Sequence, residues 1–326
     1  MAAQLPHGLL HALLLDGNGS ATPVEPADIE SWRPQDGLLW LHFDVAERRA
    51  GKWMQTTLGL DPFVVEALNA DETRPRSLNV GDGLLAVLRG VNMNPGEDPE
   101  DMVSIRLWVE RDRIVSTRRR KLLSVQDLRE QLQQGVGPKT AGEFLSELVG
   151  RLADRIGTFV DSIEENLSAI EEAQPDEAAQ TRRHSLAALR RQIASVRRFV
   201  APQRDALDRL YRNPGTVFSD PEANRLREEA DRVTRYLEDL DLARERAVVL
   251  QEELMNELAQ LQNTRMYVLS VVAAIFLPLT FVTGLLGMNV GGLPGVDSSR
   301  GFLVALVVMV VTSAAMLIYF RFRKWL

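Results

Sequence analysis

The 326-residue chain has no cysteine and only four histidines, His7, His11, His42 and His184. Without cysteine there are no disulfides, no thiolate metal sites and no thiol catalysis. The histidines show no ligand spacing and read as ordinary core or surface residues. A Gly-rich phosphate loop, a dinucleotide-binding fingerprint and a nucleophile elbow are also missing. Met1 to Leu15 lacks the basic start and the cleavage site of a secretory signal. Charge is missing at one end. From Met266 to Val296, 31 consecutive residues carry none, and Gly301 to Phe320 is a second uncharged run of 20. Elsewhere charge is plentiful, with a net charge of −7.

A helix rises about 1.5 Å per residue, so about 20 residues cross a hydrocarbon core of about 30 Å. Both uncharged runs reach that length, and a short Gly-rich loop joins them. They predict a transmembrane hairpin over residues 266–326. Basic residues stay on the cytoplasmic side of such hairpins. Arg265 precedes the first span and Arg321, Arg323 and Lys324 follow the second, whereas Gly287–Gly301 holds one Arg and one Asp. Both termini are therefore expected in the cytoplasm.

Residues 1–140 read as a cytoplasmic α/β domain. Leu9–Leu15, Leu38–Phe43, Leu84–Arg89, Val103–Val109 and Arg113–Ser116 are short apolar runs bounded by turn clusters such as Asp16-Gly17-Asn18-Gly19. Ala46–Leu58, Pro62–Ala70 and Val125–Gln134 suit short helices, with Asp61 as N-cap and Pro62 at the first helical position. Asp44, Asp71 and Glu72 could be acids of an active site, but solvated or capping roles fit them better. Nothing here argues for an enzyme.

Residues 141–265 predict a helical stalk. Glu143–Glu172 carries apolar residues at a spacing of three to four with charge on the other face. Pro175 breaks the pattern, and Glu177–Arg212 is a second amphipathic helix rich in arginine. The net negative charge points those arginines toward acidic helices rather than nucleic acid. Ser219-Asp220-Pro221-Glu222 has capping-box spacing. From Pro221 to Leu286 the next proline is Pro278, inside the first span. This third helix would be roughly 100 Å long. Its apolar seam steps by seven through Leu226, Val233, Leu240, Ala247, Leu254 and Leu261, with Leu237, Leu250 and Leu258 beside it. A helix that long needs neighbours, either the preceding helices or other copies.

Two positions round from the seam runs an acidic line, Asp231, Glu238, Glu245 and Glu252. Continued by sevens it reads Ala259, Met266, Ala273, Thr280, Gly287. The acids are either the solvated face of an amphipathic helix, or rings facing the axis of a bundle of identical helices. Acid rings would concentrate cations at a cytoplasmic mouth.

The stretch Phe276-Leu277-Pro278-Leu279-Thr280-Phe281-Val282-Thr283-Gly284-Leu285-Leu286-Gly287-Met288-Asn289 resembles the pore helix and Gly-Met-Asn signature of the CorA family of metal-ion transporters. Its continuation, Val290-Gly291-Gly292-Leu293-Pro294-Gly295, resembles the zinc-transporting ZntB branch and lacks the acidic Met-Pro-Glu loop usual in the magnesium branch. Thr73-Arg74-Pro75-Arg76, Ile114-Val115-Ser116-Thr117-Arg118, Ala201-Pro202-Gln203-Arg204-Asp205 and Lys324-Trp325-Leu326 are also similar to that branch.

The resemblance implies a funnel-shaped homopentamer in a bacterial inner membrane, its first span lining one axial pore. Met266, Leu269, Ala273, Leu277, Thr280 and Gly284 would line it, and Gly287, Met288 and Asn289 would form the selectivity loop. Asn289 and Thr280 would contact the metal through its water shell, since no His, Cys, Asp or Glu lies in the span. The cargo would be Zn²⁺, with Cd²⁺, Ni²⁺ and Co²⁺, and no cofactor is expected. The branch is associated with proton coupling, for which Glu252, Glu245 or other groups of the cytoplasmic funnel would be the carriers. A Mg²⁺/Co²⁺ channel is the second reading, and a non-conducting membrane-anchored coiled-coil scaffold the third.

Overall fold

A computed structural model describes residues 8–46, 50–71, 73–173, 179–288 and 300–323. The chain divides into two compact units, Met1–Gln251 and Glu252–Leu326.

The first unit is built on a seven-stranded mixed sheet. Its strands are β1 (Leu9–Leu15), β2 (Ala21–Pro23), β3 (Leu38–Asp44), β4 (Arg76–Val80), β5 (Gly83–Gly90), β6 (Val103–Val109) and β7 (Arg113–Arg118). They lie in the order β2-β1-β3-β7-β6-β5-β4. Among the described residues only β3 and β7 pair in parallel. Short helices α1 (Pro26–Ile29), α2 (Ala50–Thr56), α3 (Pro62–Asn69) and α4 (Leu123–Gln134) complete the domain. The five expected strands and three expected helices are present. Strands β2 and β4, both at sheet edges, were not legible, because each is short and shows little apolar alternation.

β3 sits next to the centre and is covered on both faces, which is why Leu38–Phe43 reads as an almost unbroken apolar run. On one side Leu39, Leu41 and Phe43 pack with Met54 of α2 and Val64 and Leu68 of α3. On the other, Trp40 meets Phe144 edge-on, with ring centroids 4.7 Å apart. Beside it the Trp40 indole Nε1 donates to the Ser116 hydroxyl at 2.8 Å, and His42 Nδ1 shares that hydroxyl at 2.7 Å. His11 stacks on His42 at 5.0 Å. These two histidines, 31 positions apart in the chain, are thus neighbours across β1 and β3, while His184 is exposed and His7 lies outside the described residues.

The acids of this domain turn out to be local structure. Asp61 caps α3, its Oδ1 accepting from the Phe63 N–H at 2.7 Å. The opposite end of α3 is closed by cations and a hydroxyl: Thr117 donates to the Leu68 carbonyl at 2.6 Å, Arg119 to Asn69 at 3.3 Å and Arg106 to Ala70 at 2.7 Å. These groups face the negative end of the helix dipole. Burial pulls the Arg106 guanidinium down to about 10. Asp71 pairs with Arg119, Asp44 accepts from the Ala46 N–H at 3.0 Å, and Glu72 lies outside the described residues.

Three long helices follow, α5 (Ala141–Glu172), α6 (Ala179–Arg212) and α7 (Asp220–Leu286). The expected breaker, Pro175, lies outside the described residues. α5 begins two residues earlier than its apolar pattern suggested. Thr140 is its N-cap, accepting from the Glu143 N–H at 3.0 Å, and Gly142 leaves room for Glu222 at the start of α7. Glu222 accepts from the Ser219 N–H at 2.6 Å and from the Ser219 and Thr140 hydroxyls. One carboxylate therefore serves the first turns of two helices.

Leu226, Val233, Leu237, Leu240, Ala247 and Leu250 are buried in the first unit, as the seam requires. Burying such side chains stabilises by about 1.5–3 kcal/mol each. Around them Arg232 reaches Asp154 of α5 at 2.5 Å, Arg246 reaches Glu171 at 2.6 Å, and Arg197 of α6 pairs with Asp241. Half-exposed pairs of this kind contribute about 0–1 kcal/mol, so they set register while the seam supplies the stability. In the second unit Leu254 is buried, but Leu261 is 45% exposed and Leu258 only half-covered. The seam was expected to reach Leu261; within one chain its burial ends at Leu254.

Candidate functional site

The second unit holds the end of α7 and α8 (Gly301–Phe322), both long and apolar enough to cross a membrane. Met266, Leu269, Ala273, Leu277, Thr280 and Gly284 are all exposed on α7. At about 100° of turn per residue, the six lie in a sector about 80° wide around Ala273. Val271, Ala274, Ile275, Pro278, Leu279 and Val282 are the half-covered positions of this stretch, centred about 170° away. The candidate residues thus share one bare face, opposite the partly covered one. In water a bare apolar face costs about 25 cal/mol per Å², so this surface calls for lipid or further protein around it.

Two features break the apolar face. Pro278 stands inside the helix and has no N–H to offer the Ala274 carbonyl. Thr280 Oγ1 donates to the Phe276 carbonyl at 2.8 Å. Its single hydrogen is committed there, so the oxygen presents only lone pairs elsewhere. α7 ends at Leu286, and the Gly287 N–H still donates to the Thr283 carbonyl at 2.9 Å. Gly287 is not among the glycines with positive φ. A β-carbon there would lie 3.0 Å from the Thr283 carbonyl oxygen, so closeness is what the glycine provides. Met288 is 52% exposed, and Asn289 lies outside the described residues.

Asp231, Glu238 and Glu245 are exposed on the first-unit part of α7, and Glu252 is exposed at the start of the second unit. None of the four side chains makes an ion pair or hydrogen bond with another described residue. Nearby acids behave differently: Asp241 is held below the usual carboxylate range by its hydrogen bond from Arg197. The flanks of the line carry a signal that the heptad reading passed over. Leu242 and Val249 are 55% and 56% exposed, and Val248 is 39% exposed. They lie about 40–60° to either side of Glu245. A face built only for solvent has no use for these side chains.

Among the described residues no three His, Cys, Asp or Glu side chains converge into a metal site. What α7 offers is weaker and serial: unpaired carboxylates, then an apolar face interrupted by hydroxyl oxygen. Such a surface can attract a cation and pass it on, but cannot hold it tightly.

The family model described as CorA-like Mg²⁺ transporter protein matches residues 35–324. The divalent cation transporter CmaX of Pseudomonas aeruginosa is 41% identical over 323 residues, covering 98% of this chain and 97% of that protein. The zinc transport protein ZntB of Pectobacterium atrosepticum is 34% identical over 325 residues, covering 99% and 98%. Among solved structures, full-length CmaX matches with a TM-score of 0.84 at 38% identity, covering 99% of both chains. The CorA magnesium transporter of Methanocaldococcus jannaschii matches with a TM-score of 0.79 over 97% of this chain and 99% of that one, and at 16% identity supports the fold alone. With its model match running through nearly the whole length, the chain belongs to the CorA-like family.

Proposed function

We propose that the protein transports divalent metal cations across a bacterial inner membrane, Zn²⁺ first and Cd²⁺, Ni²⁺ and Co²⁺ with it. The observation that carries the reading is the single bare face of α7. It gathers Met266, Leu269, Ala273, Leu277, Thr280 and Gly284 away from the side that the chain covers itself. A two-span subunit cannot enclose a pore, so identical copies set these faces around one axis as a homopentamer. The exposed Leu242, Val248 and Val249 support this assembly, since they would meet neighbouring copies while the acidic line faces the axis.

In this reading residues 1–140 are the cytoplasmic domain, 141–265 the stalk and 266–326 the membrane hairpin, with both termini in the cytoplasm. Asn289 and Thr280 meet the ion through its water shell, with Gly287 and Met288 shaping the mouth. Leu277 and Met266 form narrow apolar rings. Asp231, Glu238, Glu245 and Glu252 gather cations below. A divalent ion entering a negative interior gains about 4–5 kcal/mol per 100 mV, twice the value for one charge. Glu245 and Glu252, on the acidic line, are the candidates for a coupled proton, because the span carries no His, Asp or Glu.

The names of the relatives favour zinc or a broad divalent range over magnesium, and Asn289 is followed by Val290-Gly291-Gly292 rather than by the acidic Met-Pro-Glu loop usual in the magnesium branch. Purified protein in liposomes, loaded with a metal-sensitive dye, tests the choice. Zn²⁺ flux well above Mg²⁺ flux supports the proposal, and its rise or fall with an imposed pH gradient reports proton coupling. Mg²⁺ flux above Zn²⁺ flux establishes the magnesium reading. No flux from a dimeric or monomeric protein establishes the scaffold.

A further inference from the structure

Five of the six pore-facing positions of α7 fall on two neighbouring heptad lines, and Leu269 lies beside them. One is Met266, Ala273, Thr280, and the other contains Leu277 and Gly284. Stepping the second line back by seven from Leu277 arrives at Ser270, which the family signature does not include. At about 100° per residue Ser270 lies about 20° beyond Leu277 and about 110° from the centre of the half-covered stripe. It is exposed, and its Oγ donates to the Met266 carbonyl at 2.8 Å. Thr280 makes the same bond to Phe276 at the same distance. Each hydroxyl has committed its one hydrogen to its own helix, which leaves an oxygen that can only accept.

Serine in apolar helices often satisfies itself in this way whichever side it faces. Thr312 of α8 is such a case, donating to the Val308 carbonyl at 2.8 Å from a half-covered position. Ser270 differs in standing on the bare face of α7. Ten residues separate it from Thr280, a rise of about 15 Å, with Leu277 between them. We propose that Ser270 forms a second hydroxyl ring of the conduction path, taking the water shell of the divalent cation on the cytoplasmic side of the Leu277 constriction. The inference rests on the pore reading above and adds a polar step to it. Without that step an ion leaving Leu277 would face uninterrupted apolar side chains down to Met266. With it, acceptor oxygen lies on both sides of the narrow ring.

The absence of cysteine makes a clean test, because any introduced thiol is the only one in the chain. Full-length Ser270→Cys, Leu277→Cys and Ile275→Cys are reconstituted in liposomes, and Zn²⁺ flux is measured before and after a charged methanethiosulfonate reagent. The expected result is a several-fold loss in Ser270→Cys and Leu277→Cys and no change in Ile275→Cys, which faces the covered side. Block of Leu277→Cys with none at Ser270→Cys overturns the second ring and leaves the pore standing. No block at either position overturns the pore reading itself. Unmodified Ser270→Ala is expected to lose flux about threefold while Ser270→Thr keeps it. Wild-type flux in Ser270→Ala would reduce the hydroxyl to a helix-satisfying role and overturn the proposal.

Discussion

Gly157 of α5 faces Tyr236 of α7 so closely that a β-carbon at Gly157 would lie 2.6 Å from the Tyr236 hydroxyl oxygen. Gly142 and Gly150 stand in the same relation to Glu222 and Glu229, at 2.5 and 3.4 Å. Glycines spaced about seven apart on α5 thus receive a heptad line of α7. Gly157→Ala is expected to destabilise the first unit by about 1–3 kcal/mol through overpacking. Thermal melts read this directly. Combining it with Tyr236→Phe, which removes the clashing oxygen, should recover part of the loss. Additive losses in the double variant would mean that Tyr236 does not bear the strain.

Assembly can be tested at the flanks of the acidic line. Leu242→Lys with Val249→Lys places cations where neighbouring copies are proposed to meet, without touching the buried seam. Native mass spectrometry should show wild-type pentamers and mainly smaller species for the variant. Pentamers in both would remove this surface from the interface. Dimeric wild type would remove the axial pore.

At the outer end, Asn289→Ala takes neutral carbonyl oxygens from the proposed mouth, and Zn²⁺ flux should fall several-fold with the fold intact. Gly287→Val should lose more, because a β-branched side chain meets the Thr283 carbonyl, already 3.0 Å from a single β-carbon there. Full flux in Asn289→Ala would move the selectivity site elsewhere.

Replacing Asp231, Glu238, Glu245 and Glu252 by Asn or Gln tests the cytoplasmic attraction. Exposed charges are screened over about 10 Å at about 0.1 M salt. The variant should therefore conduct poorly at low ionic strength and approach wild type at high salt. Equal flux at every salt concentration would make the line a solvated outer face.

Buried histidines give the first unit an acid sensitivity. Burial pulls His11 from 6.5 down to about 3, and lowers His42 well below its ordinary value too. Between those limits the unfolded chain binds protons that the folded chain refuses. Stability is therefore full above about 6.5 and falls as pH drops, by about 1.4 kcal/mol per pH unit for His11. Urea melts of wild type and His11→Gln from pH 7 to 4.5 should show the shallower slope in the variant. Parallel slopes would mean that carboxylates alone drive the acid loss.

The sequence by itself determined the two helices apolar and long enough to cross a membrane, the other long helices and the strands at the sheet centre. In each case a run of side chains repeats at the period of its own backbone, so the pattern survives without tertiary context. Ala273 and Thr280 could be put on one line because an α-helix fixes the angle between positions seven apart. Edge strands β2 and β4 carry no such run, since half their bonding groups face solvent and packing selects few of their residues. Only the tertiary structure decided that His11 stacks on His42, that Glu222 joins the starts of α5 and α7, and that Asp241 is paired while Glu245 is not. These depend on chain segments brought together from far apart, and no local periodicity encodes the distance between them. The bare face of α7 belongs to both: the helix period aligned its residues, and the folded chain, by covering the opposite side, left this one open.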